Sequence, residues 1–119
     1  ELSFEVIRME ITKRKSGDTI VIELSGSLDI YTATDFKTYL QSNVKTENAK
    51  VVVNMEKLNY IDSSGIGMLI KSLNYMKELN GHLQLANLKE SLQKIFKVAG
   101  LTAYFQFLSE KEFKEKYLA

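Results

Sequence analysis

Asp62-Ser63-Ser64-Gly65, followed by Ile66-Gly67, is the stretch whose residue types could do chemistry. Aspartate before a helical run accepts hydrogen bonds from the unpaired amides of the first turn, worth about 1 kcal/mol. Asp62 is therefore read as the N-cap, donated to by Ser64 or Gly65. Ser63 then becomes the first helical residue, with its hydroxyl free to face solvent. A phosphate there would add about −1.5 to −2 charge where the helix dipole favours anions, but beside the Asp62 carboxylate. Gly65 and Gly67 each cost about 1 kcal/mol relative to alanine inside a helix. They imply close packing against a strand, a surface that another backbone approaches, or both. Read without any relative, the motif is also satisfied by a plain helix start.

Nucleophilic catalysis by Ser63 fits poorly. A serine nucleophile needs a base. The single histidine, His82, lies past the far end of the Ser63 helix. A helix of roughly fifteen residues puts it about 20 Å away. Neither "GSLDI" nor "DSSGIG" is a nucleophile elbow or a lysine-bearing phosphate loop. Asp29 and Asp62 could form an acid–base pair, but Asp29 could equally cap the first helix. No metal-ligand spacing is visible, and cysteine is absent, which removes thiolate and disulfide chemistry. The expectation is no catalytic residue, no metal and no cofactor.

The elements that must hold these residues follow from periodicity. Phe4–Arg14 alternates as a strand with Ile7, Met9 and Ile11 on one face, and Lys15–Asp18 is a turn. Thr19–Ser25 returns as an antiparallel strand. Thr32 with Asp35 resembles a capping pair for a helix carrying Ala33, Phe36, Leu40 and Val44. Lys50–Asn54, with Val51-Val52-Val53, is a strand covered on both faces. Ile66, Leu69, Ile70, Leu73 and Met76 form the stripe of the next helix, with Gly81 expected in the left-handed stop after Asn80. His82–Ala86 is a fourth strand. Asn87 and Glu90 are expected to cap a helix bearing Leu88, Leu92, Ile95, Phe96 and Ala99, ended by Gly100. Tyr104–Leu108 is a fifth strand, and Ser109 with Glu112 caps a last helix carrying Phe113 and Tyr117.

This β-β-α-β-α-β-α-β-α order predicts an α/β fold: one domain with a mixed, mostly parallel sheet of about five strands and about four helices. Sites in such sheets gather beyond the carboxyl ends of the parallel strands. If the second and third strands are neighbours, Asp29, Thr32, Asp62 and Ser63 share one end of the domain. The 119 residues, 45% hydrophobic, suffice for one real core. Net charge is +1, so nothing calls for nucleic acid or an anionic membrane as partner. Lys13-Arg14-Lys15 reads as a solvated hairpin end. No apolar run approaches the ~20 residues of a membrane span. Lack of cysteine fits a cytoplasmic setting. Glu1–Arg8 reads as an N-terminal extension, native or added, leaving 9–119 as the domain.

The segments Val21–Leu40 and Lys50–Leu88 resemble bacterial anti-sigma factor antagonists of the STAS family. The likeness continues through "IFKVAGL", Ile95–Leu101, and covers nearly everything after Met9. Its specificity lies in combining Gly-x-Leu-Asp after the second strand with Asp-Ser-Ser-Gly-Ile-Gly before a helix. The resemblance implies a domain that binds an anti-sigma factor which is also a serine kinase. The unmodified antagonist occupies that partner and frees the sigma factor. Phosphorylation of the serine after the motif aspartate, here Ser63, ends the sequestration until a serine phosphatase resets it. The implied contact surface is Asp29, Tyr31, Thr32, Asp62, Ser63, Ser64, Gly65 and Gly67. A weak dimer is compatible with the sequence, which does not fix the oligomeric state. Ser27 departs from the family, standing where an acid is common, and Glu1–Arg8 has no clear match. The competing reading is a STAS domain that regulates a different signalling protein or serves as a ligand-sensing or interaction module.

Overall fold

A computed structural model describes residues 8–117. The elements run β1 (Met9–Ser16), β2 (Thr19–Leu28), α1 (Ala33–Asn43), β3 (Lys50–Ile61), α2 (Ser63–Glu78), β4 (His82–Ala86), α3 (Glu90–Val98), β5 (Gln106–Leu108) and α4 (Glu110–Tyr117). The sheet order is β1-β2-β3-β4-β5. Among the described residues only β1 is antiparallel to its neighbour; β2, β3, β4 and β5 run parallel. The expected architecture is the one observed.

Alternation explains which side of the sheet carries which helix. Ile22, Leu24, Val51, Val53, Met55, Leu83 and Leu85 pack with Phe36 and Leu40 of α1, Leu69 and Met76 of α2, and Leu92 and Phe96 of α3. Val21, Val52, Ala86 and Leu108 face the other way, against Phe113 of α4. The β-branched run of β3 is buried on both faces because helices lie on both.

Several boundaries move. β1 begins at Met9 and runs to Ser16, so the turn shrinks to Gly17-Asp18. The expected strand positions Phe4–Ile7 lie outside the described residues. β2 reaches Leu28 and β3 reaches Ile61, both past the expected ends. Two register shifts, between Glu23 and Ser25 and between Gly26 and Ser27, break the alternation that would have revealed the extension. β5 starts only at Gln106. Tyr104 and Phe105 precede it, with the Phe105 ring edge-on to Phe96 at 5.6 Å.

Two capping pairs do not form. Thr32 gives α1 no side-chain cap, because its hydroxyl is used in the preceding loop. Asn87 donates to Asn54 Oδ1 at 2.9 Å instead of capping α3. The Ser109–Glu112 box does form, with Glu112 N–H donating to Ser109 Oγ and Ser109 N–H to Glu112 Oε1. After α2 it is Asn80 that takes the left-handed conformation, φ 54°. Gly81 is needed for space instead: a Cβ there would lie 2.5 Å from the Ala49 carbonyl oxygen. Ala99, expected on the α3 stripe, is exposed.

Candidate functional site

β2 and β3 are parallel neighbours ending together, with Leu28 opposite Ile61. The chain leaves both strands at the same rim. Asp62 N–H donates to the Leu28 carbonyl at 3.3 Å, joining the two exits. The rim therefore gathers Asp29, Tyr31, Thr32, Asp62 and Ser63, as the neighbouring-strand condition required.

Asp62 is the N-cap of α2, in extended backbone, and its Oδ1 accepts from Ser64 N–H at 2.9 Å and Gly65 N–H at 3.1 Å. Ser63 is the first helical residue and is exposed; Ser64 is half-buried. With both amides committed to Asp62, they are not free to receive an anion placed on Ser63. Such an anion would stand outward, beside the Asp62 carboxylate.

The two glycines divide the roles expected of them. Gly65 is buried, and a Cβ on it would meet the Leu28 carbonyl oxygen at 2.4 Å and Ile61 Cγ1 at 2.8 Å. It lets α2 start tight against the strand ends and is not a surface residue. Nothing lies within 4 Å of a Cβ built on Gly67. That position is open.

The β2–α1 loop is held by its own polar groups. Asp29 N–H donates to Thr32 Oγ1 at 2.9 Å, Thr32 Oγ1 donates to the Ser27 carbonyl at 2.7 Å, and Tyr31 N–H donates to Asp29 Oδ1 at 2.9 Å. Thr32 is only 3% exposed. Its expected place on a contact surface is thus corrected: the hydroxyl holds the loop from inside. The consequence is that Ile30 and Tyr31, each 69% exposed, project from a fixed turn. Tyr60, one residue from the end of β3, is 52% exposed. The Arg8 guanidinium lies over the Tyr31 ring, 4.3 Å from its centroid. Ile30 and Tyr60 escaped sequence reading. The available signal was a large apolar residue beside Asp29 that belongs to no strand or helix stripe.

His82 opens β4 opposite Lys50, at the start of β3, whereas Ser63 follows the end of β3. The one imidazole and the rim serine sit at opposite ends of the sheet. No group of three or more His, Cys, Asp or Glu suited to a metal ion occurs among the described residues.

The strand order, the four helices and this rim define a known class. Residues 10–114 match the STAS domain, and the chain belongs to that family. Among its relatives is the anti-sigma-B factor antagonist of Bacillus subtilis, 23% identical over 106 residues, covering 89% of this chain and 96% of that protein. The anti-sigma-B factor antagonist of Listeria monocytogenes is 28% identical over 96 residues, covering 81% and 83%. The unphosphorylated form of the anti-sigma factor antagonist SpoIIAA superposes with a TM-score of 0.69 at 23% identity, covering 87% of this chain and 91% of that one.

Proposed function

We propose that this protein is an anti-sigma factor antagonist controlled by phosphorylation of Ser63. The unmodified rim binds an anti-sigma factor that is also a serine kinase, and so releases a sigma factor in the cytoplasm. In the transfer, Ser63 Oγ attacks the γ-phosphorus of ATP, ADP leaves, and the serine proton passes to a base of the kinase. The antagonist itself is substrate and ligand, not catalyst. A serine phosphatase restores the hydroxyl.

The observation that carries this reading is the exposed Ser63 at a rigidly capped helix entrance. The relatives' names add to it, as does the apolar surface of Ile30, Tyr31 and Tyr60 around the same rim. Asp29, Asp62, Tyr31, Ser64 and Gly67 complete the proposed contact surface. Thr32 and Gly65 support it from beneath. Phosphate at Ser63 would place roughly −2 charge beside Asp62, with the Ser64 and Gly65 amides already committed to that carboxylate, so the effect falls on the partner.

The test is incubation with ATP and a serine-kinase anti-sigma factor from the same genome, read by intact mass and by partner binding. Ser63→Ala should keep binding and accept no phosphate; Ser63→Asp should weaken binding. Full labelling of the alanine variant would remove Ser63 from the scheme.

A second reading, a ligand-sensing or interaction module for another signalling protein, has one feature in its favour. A cleft of about 400 Å³ opens around β5, lined by Leu88, Gln93, Phe96, Thr102, Phe107, Leu108, Ser109 and Glu112. Capture from cell extract separates the readings: an ATPase of the serine-kinase type supports the first, and only sensor or transport proteins the second.

A further inference from the structure

The outer edge of β1 is unusual for an exposed strand. β1 pairs with β2 without interruption from Met9↔Gly26 to Ser16↔Thr19 and stands at the end of the sheet order. Among the described residues no strand lies on its outer side. Such an edge is a template for another strand unless bulges or proline blunt it. The chain has no proline, and β1 shows no register shift. Its guards are charges, and their arrangement is specific. Glu10, Thr12 and Arg14 point to the α4 side of the sheet, sharing it with Ser25, Glu23 and Val21 opposite them. Ile11 packs with Met9 against the other core, and by alternation Lys13 and Lys15 share their side.

We infer that β1 is a self-pairing edge: two copies join antiparallel about a twofold axis through Thr12, forming one continuous sheet. In that register Glu10 of each copy lies opposite Arg14 of the other, Thr12 faces Thr12, and Lys13 faces Ile11. Other centres that keep most of β1 paired fail on charge. An axis at Glu10, Lys13 or Arg14 sets each against its own like charge, and an axis at Ile11 puts Arg14 opposite Arg8. Opposite charges directly across an antiparallel pair stabilise it, and like charges destabilise it.

Arg14 is placed to use such a partner. Its Nε reaches Glu23 at 3.7 Å, and the side chain as a whole keeps 32% exposure, so part of it stays open to a second carboxylate. The second copy's Glu10, directly opposite, supplies one. The twofold reverses strand direction, so the two Ser63 rims lie at opposite ends of the joined sheet. Self-pairing therefore leaves both rims open, and this inference stands apart from the proposed function.

Sedimentation of the full chain over a concentration series, at low and high salt, tests it. The expected result is a reversible dimer that weakens as salt screens the two charge pairs. Glu10→Arg alone and Arg14→Glu alone should each weaken dimerisation by about tenfold. Their equimolar mixture should recover it, since in the mixed dimer every arginine at these two positions, native or introduced, lies opposite a glutamate. Circular dichroism checks that Arg14→Glu, which also sits beside Glu23, still folds. Thr12→Lys gives an independent arm: lysines meeting at the axis should weaken the dimer without touching either charge pair. A wild-type chain that stays monomeric throughout overturns the inference. So does a mixture no tighter than its components, or a Thr12→Lys variant that dimerises as well as wild type.

Discussion

At the scale of single residues, the two glycines of α2 make opposed predictions. Gly65→Ala forces a methyl to within 2.4 Å of the Leu28 carbonyl oxygen. Backbone cannot yield as a side-chain tip does, so the variant should lose about 1–3 kcal/mol. Gly67→Ala meets nothing within 4 Å and should gain up to about 1 kcal/mol from helix propensity. Thermal melts of the two should move in opposite directions. If Gly67 belongs to the partner surface, its alanine variant should nonetheless bind more weakly while melting higher. Asp62 separates capping from charge in a similar way. Asp62→Ala gives up both amide hydrogen bonds and should cost about 1 kcal/mol in denaturant titration. Asp62→Asn keeps an acceptor and should stay close to wild type. The Asp62 cap was legible because Asp, Ser and Gly serve that role through local backbone geometry alone. Thr32 misled for the same reason. A hydroxyl at a helix entrance has a second use, closing its own loop onto Ser27 and Asp29, and only the loop's path decides between them.

At the scale of elements, the best-read segments are those whose burial is periodic and unbroken. The α1 and α2 stripes came through as buried sides. The far half of β3 did not, because its register against β2 slips twice and the apolar spacing slips with it. Exposure of Ile30 and Tyr60 was equally out of reach, since it depends on which surfaces lack a neighbour. The last helix gives the pH prediction. A hydrogen bond from Lys114, and after it the lysine's charge, holds the Glu110 carboxyl below its ordinary value; the same bond raises Lys114. Glu110 thus contributes stability that is present above its unfolded value and lost as pH falls through the lowered folded one. Lys114's share is present below its unfolded value and lost as pH rises through the raised one. Both side chains are exposed, so solvent keeps the contribution small. In a carboxyl-detected NMR titration, Lys114→Met should move the Glu110 midpoint upward, while a midpoint that stays put would dissolve the pairing.

At the scale of the whole molecule, the sheet is covered unequally. Among the described residues, three helices share one side, and α4 alone closes the other through Phe113, which is 2% exposed. Phe113→Ala should cost about 3–5 kcal/mol, since no other described helix can collapse into the space. Calorimetry should show the loss, and tyrosine fluorescence should report Tyr117 leaving its place beside Phe113, whose rings now stand 6.2 Å apart. A melting point unchanged by this truncation would mean that α4 is an ornament on the sheet.

The uneven lengths of the strands carry a final consequence. β4 pairs with β3 only as far as Asn54, so from Met55 to Ile61 the longer strand has β2 as its one strand partner among the described residues. Strand β3 projects past its companion, with Ser63 mounted just beyond its tip. Side chains stand in for the absent strand: Lys89 Nζ donates to Asn59 Oδ1 at 2.6 Å, and Met55, Leu58 and Ile61 are buried in the core. The tip is thereby clamped like a bracket, and whatever docks on the rim meets a mount that is already set.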